Sequence, residues 1–224
     1  MKDITKRRLR NPAKPTSNYH DPRSLGDGSY HFCPALQNLA DNMFYIPVPF
    51  DVDIALNEDG SMQSHKWLGF FAERGQTMDD AFNLDVDYEF NVFCEEPLEM
   101  TVTPPYLHRT DLYRYGFISA VKWDISKWFR PITPVIQLWP GVRELKLTKD
   151  DPLLYVSFDT DRPIVFKQAR YTQRMRDIYK ACGEHKFYFK FIPLQAMYDK
   201  FVNQGLKNDL LREFKENIIK ESDV

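Results

Sequence analysis

With 224 residues, 43% of them hydrophobic, and with 17 Phe, 12 Tyr and 4 Trp, the chain carries enough apolar area for a sizeable core, which excludes the disordered class. Nine Gly against fifteen Pro favour rigid, extended connections over the glycine-rich loops that cradle phosphates, so a nucleotide cradle is disfavoured. The formal net charge of -2 conceals an asymmetry: Lys2, Lys6, Arg7, Arg8, Arg10, Lys14 and Arg23 face only Asp3 and Asp21 in the first 23 residues, which leaves the remainder at about -7.

Residues 1–28 lack helical or strand periodicity beyond the first ten, and Pro12, Pro15 and Pro22 oppose a helix, so this stretch reads as a basic, extended N-terminal arm. A β-rich body is expected over 29–168. It opens with a short helix around Pro34, whose Leu36, Leu39 and Ala40 share a face. MFYIPVPF and DVDIAL read as extended segments, and Asn57-Glu58-Asp59-Gly60 before SMQSHKW is a hairpin signal that predicts two paired strands. DVDYEFNVF alternates strictly, with Val86, Tyr88, Phe90 and Val92 on one face. LEMTVT, GFISAVKW, PVIQLW, VRELKLT and LLYVSF are further strands joined by short links, a spacing that predicts an antiparallel sandwich or barrel.

After Lys167 the period becomes helical, and 169–224 reads as a helical segment packed on the body. Tyr171, Met175, Ile178, Tyr179 and Cys182 form one stripe that Gly183 is expected to cap. HKFYFKFIP follows as an aromatic strand. Leu194 to Val202 gives a second helix ending at Gly205, and Leu206, Leu210, Phe214 and Ile218 give a third. The fold class predicted is thus α+β, mainly β, with amphipathic helices at the C-terminal end.

No run approaches the roughly 20 apolar residues of a membrane span, and the polar start lacks the core of a secretory signal, so a cytosolic or virion-type protein is expected, without a membrane partner. Cys33, Cys94 and Cys182 are odd in number and never arranged as CxxC, which predicts reduced, mostly buried thiols rather than disulfides or a zinc knuckle.

Chemistry-bearing patterns are sparse. The histidines His20, His31, His65, His108 and His185 form no recognised pair, and His108-Arg109-Thr110-Asp111 has the wrong spacing for a two-histidine, one-carboxylate iron site. No GxSxG, HExxH, P-loop or GxGxxG occurs, and Cys94 and Cys182 have no neighbour that would lower a thiol pKa. No catalytic residue, metal or cofactor is therefore assigned. An enzyme reading would rest on His65, His108 and an acidic neighbour such as Asp111. The arm KRRLRNPAK admits three readings: neutralising nucleic-acid phosphates, docking on an acidic protein surface such as a second copy, or a solvated terminus. Docking on a protein partner or on itself is preferred, because the chain shows no groove-reading helix or stacking motif.

From Thr101 to Phe158 the order of features is specific: Pro105-Tyr106-Leu107-His108-Arg109-Thr110, Gly116, Trp123-Asp124, Trp128-Phe129, then Lys149-Asp150-Asp151-Pro152. With Cys33-Pro34-Ala35 and Tyr45-Ile46-Pro47-Val48-Pro49-Phe50 upstream, this resembles DUF6065, an uncharacterised family of bacteria and tailed phages. The resemblance covers about two thirds of the chain and implies a phage-type protein but no activity. The family tends to show Lys-Gly-Glu-Pro where Asp150 stands here. The strand order is also similar to the β-clip of dUTPases and dCTP deaminases, which place an aspartate after Gly-x-Ile. Here Ser119 follows Gly116-Phe117-Ile118, so a divergent nucleotide-processing enzyme is the alternative rather than the expectation. The function expected is a phage-type accessory or structural protein acting by protein binding or assembly. The contact residues proposed are Arg7, Arg8, Arg10, Tyr106, Arg109, Tyr113 and Arg114, since Tyr and Arg carry binding energy at low entropic cost.

Overall fold

A computed structural model of the chain describes residues 34–35, 41–64, 71–76, 81–86, 88–108, 110–188 and 191–219. The arm, most of the helix expected around Pro34, Cys33, His65 and Arg109 lie outside the described residues. The fold is mainly β with three C-terminal helices, as the alternation and the late change of period predict, and its sheets are antiparallel wherever the register is defined. Neither four-stranded sheet closes into a barrel. The chain divides into two units: one made of residues up to Tyr88 with Thr101–Lys122 and Thr133–Arg162, the other of Glu89–Met100, Trp123–Ile132 and Pro163–Val224.

In the first unit, β1 (Met43–Pro47) pairs with β12 (Pro152–Phe158), and β2 (Val52–Ala55) pairs with β11 (Glu144–Leu147). These are two stretches of one long ladder. Between them the prolines remove donors, the register slips at Ile46/Pro47, and Val48 keeps the strands together by donating to the Asp151 carbonyl and accepting from the Asp150 amide. Leu153 to Val156 are buried in succession, so β12 is covered on both faces; it sits in a sheet of order β1-β12-β6-β8 with β6 (Glu99–Thr103) and β8 (Val121–Asp124). The other four-stranded sheet has the order β3-β4-β10-β7, with β3 (Phe71–Gln76), β4 (Phe82–Val86), β10 (Val135–Leu138) and β7 (Gly116–Ile118). Gly116 is required in β7 by close approach: a Cβ there would lie 2.1 Å from the Gln137 carbonyl oxygen.

Several expectations are corrected. DVDIAL takes β11 as its partner, and among the described residues the Asn57–Gly60 turn returns the chain to an antiparallel bridge, Leu56 to Met62; His65 to Trp67 of the expected second strand lie outside the described residues. The turn itself forms as its sequence predicts: Asp59 accepts from the Ser61 amide and hydroxyl, and Gly60 takes φ +84° against the Phe82 ring. The alternating stretch at 85–93 is not one strand. It divides into β4 and β5 (Tyr88–Asn91), and β5 pairs with β9 (Pro131–Ile132) in another sheet. GFISAVKW likewise divides into β7 and β8. The Lys149–Pro152 turn joins β11 to β12 without pairing them with each other, and Asp150 holds φ +70°, the left-handed conformation that glycine adopts without strain. A one-turn helix, α1 (Leu112–Tyr115), precedes β7.

The second unit gathers the helices α2 (Gln173–Tyr188), α3 (Leu194–Asn203) and α4 (Leu206–Asn217) with two segments from the middle of the chain. Phe93 stacks on Phe214 at 5.6 Å, and Phe129 and Phe201 meet Phe93 edge-on at 6.4 and 6.2 Å. Met175, Ile178, Cys182, Met197 and Leu210 complete this core. Thr172 caps α2 by accepting from the Met175 amide and donates to Glu213 of α4 at 2.6 Å, and Arg174 pairs with Asp209. Gly205, φ +76°, ends α3 and starts α4 as expected. Gly183 does not end α2, which runs on to Tyr188, so the aromatic strand expected at HKFYFKFIP is helical through Tyr188. Among the described residues no helix is long and apolar enough to cross a membrane.

Candidate protein-binding surface

Within the first unit, three proposed contact residues are described. The turn after Pro104-Pro105 presents Tyr106, which is 47% exposed; its ring meets that of buried Tyr155 edge-on at 5.2 Å, and its hydroxyl lies 3.9 Å from the Met43 sulfur. Burial of this flank raises the Tyr106 phenol above its ordinary pKa, and burial does the same at Tyr113. Helix α1 carries Tyr113 and Arg114 side by side. Arg114 pairs with Asp111 one turn back at 3.3 Å, an exposed contact of small energetic value. Arg7, Arg8, Arg10 and Arg109 lie outside the described residues.

Two further residues belong to this surface. The Trp139 indole N–H donates to the Tyr113 carbonyl at 3.0 Å, its ring packs on Phe117 at 5.2 Å, and 40% of the side chain stays exposed. The signal for it was present in β10: burial of Ile136 and Leu138 puts Trp139 out of phase with the core. A large aromatic held by a hydrogen bond and a neighbouring ring loses little entropy on contact with a partner.

Beside α1, which packs on β11, lies an open cleft of about 270 Å³ lined by Asp51, Val52, Asp53, Asp111, Lys146, Leu147 and Thr148. The β2–β11 pairing sets Asp53 opposite Lys146. Asp51 accepts from the Lys149 amide at 2.8 Å, and the Lys146 ammonium, 3.0 Å from Glu144, is raised in pKa first by that hydrogen bond. Asp151 is also raised, first by burial and then by the charges of Asp111 and Asp150. The rim therefore has an acidic bias, opposite in sign to residues 1–23.

Of the residues of the enzyme reading, two are described. His108 makes its short contact with the Tyr155 hydroxyl, Asp111 pairs with Arg114 and lines the cleft, and His65 is outside the described residues. Among the described residues no group of three or more His, Cys, Asp or Glu is placed to hold a metal ion. In the second unit Cys182 is buried, and that burial pushes its thiol up to about 11 against the opposing pull of the Phe129 backbone, which disfavours a nucleophilic thiolate; Cys94 is half-buried. No protein-family model, curated protein or solved structure matches the chain.

Proposed function

We propose that this protein works by binding other protein chains, copies of itself included, as a phage-type accessory or structural protein related to DUF6065, with its basic arm and β body as the contacting parts and no catalytic step. The observation that supports this reading best is the pair of exposed aromatics Tyr113 and Trp139, the latter held by a hydrogen bond and by the half-buried Phe117 ring, adjoined by an acidic cleft opposite in charge to the arm. Carboxylates at the rim would steer a lysine- and arginine-rich segment, and the aromatics would supply buried area and a face for guanidinium stacking.

The deciding experiment is the absolute mass in solution of the full chain and of the chain lacking residues 1–28. An oligomer that falls to a monomer without the arm supports assembly through it. A mass unchanged by the truncation removes the arm from the reading, and a monomer in both cases leaves only binding to a different protein, to be sought with Trp139→Ala as the control.

A further inference from the structure

We propose that the Asp151–Pro152 peptide bond is a self-cleavage site, at which the Asp151 carboxyl group attacks its own backbone carbonyl and frees Pro152 as a new N-terminus. The bond lies where the turn after β11 enters β12, and the hydrogen bonds of that turn hold it in place. The Val48 amide donates to the Asp151 carbonyl at 2.8 Å, the Asp151 amide donates to the Thr148 carbonyl at 3.3 Å, and the Asp150 amide donates to the Val48 carbonyl at 2.9 Å. The first of these aims a fixed donor at the oxygen on which negative charge develops during attack. A side-chain oxygen that closes a five-membered ring on its own residue's carbonyl needs no reactant brought from elsewhere. Among the described residues no hydrogen bond or ion pair ties up the Asp151 carboxyl group.

The step balances. The oxygen of the Asp151 carboxylic acid bonds to the Asp151 carbonyl carbon, the carbon–nitrogen bond to Pro152 breaks, and the acid proton passes to the Pro152 nitrogen, which has no proton of its own. Water then opens the cyclic anhydride and leaves Asp151 as a C-terminus with two carboxyl groups. The reacting form is the protonated acid. Burial, first, and then the charges of Asp111 from α1 and Asp150 from the same turn raise the Asp151 pKa above the ordinary 3.8. The reactive form therefore gains as pH falls, and it persists to higher pH in the folded chain than in the unfolded one. Under native conditions the two products stay together, because β12 remains paired with β1. Cleavage is a single event on the protein's own chain, separate from the binding proposed above.

The sequence supplies a control in Asp21–Pro22, the other Asp-Pro bond of the chain. The full chain is held at pH 5 and at pH 7.5, with and without concentrated urea, and the fragments are read by mass spectrometry after denaturation. The expected result is a pair of fragments, 1–151 and 152–224, that accumulates at pH 5 roughly tenfold faster without urea than with it. It should outpace cleavage at Asp21–Pro22 and slow at pH 7.5. Asp151→Ala should abolish it, and Asp111→Asn should slow it and move its pH profile to lower values. A chain that stays intact, equal cutting at the two Asp-Pro bonds, or faster cutting in urea overturns the proposal. The comparison of folded with unfolded chain is made in the natural protein, so the question is decided even if a variant fails to fold.

Discussion

Asp150 occupies the left-handed region at φ +70°, where a Cβ crowds the following carbonyl and only glycine is unstrained. Asp150→Gly is therefore expected to raise stability by about 0.5–1 kcal/mol, less than the full strain because glycine also enlarges the unfolded ensemble; a rise in the midpoint of urea unfolding at constant slope is the readout. Asp124 makes the opposite case, a buried charge with partners. Burial pushes its carboxyl up, but hydrogen bonds from Ser126, Lys127 and the Leu98 amide prevail and hold it below the ordinary value. A depressed folded pKa contributes stability above the unfolded value near 4 and loses it as pH falls lower. Asp124→Asn should thus cost about 1.5–3 kcal/mol at pH 7, and the gap between variant and natural protein should close below pH 4 in acid-denaturation curves.

Helix α2 shows how far local pattern reaches. Its buried stripe, Met175, Ile178 and Cys182, was legible from spacing, yet Gly183 read as a stop although the helix continues. A glycine signals a C-cap only when its backbone turns left-handed, as Gly205 does and Gly183 does not. Within a helix it is merely a weak residue, and a Cβ at Gly183 would meet nothing closer than the Tyr179 ring at 4.0 Å. Gly183→Ala should accordingly stabilise by about 0.5–1 kcal/mol, measured by thermal unfolding, whereas a left-handed cap would make the same change destabilising. The assignment of β4 and β5, and of β7 and β8, to different sheets was missed for a related reason: alternation survives when a chain leaves one sheet for another, so period 2 reports a half-buried strand but not which neighbour it has. The candidate surface was legible to the same degree. Tyr106, Tyr113 and Arg114 stand out by residue type, but Asp51, Asp53 and Asp111 meet only because β2 pairs with β11 and α1 packs beside it.

At the scale of the molecule, two compact units share the chain in alternation, where the sequence suggests contiguous segments. Composition carried no sign of this, because Glu89–Met100 and Trp123–Ile132 resemble the strands around them while supplying Phe93 and Phe129 to the helical core. Residues 163–224 produced alone should therefore keep helical far-ultraviolet signal but lack a fixed aromatic environment, with near-ultraviolet circular dichroism close to that of the unfolded chain.

The Phe93–Phe214 stack also fixes a schedule. During synthesis Phe93 and Phe129 leave the ribosome long before the helices whose rings cover them, and β1 likewise waits for β12. Such late closure implies slow folding and a nascent chain with exposed aromatic surface, the state in which a chaperone finds its client.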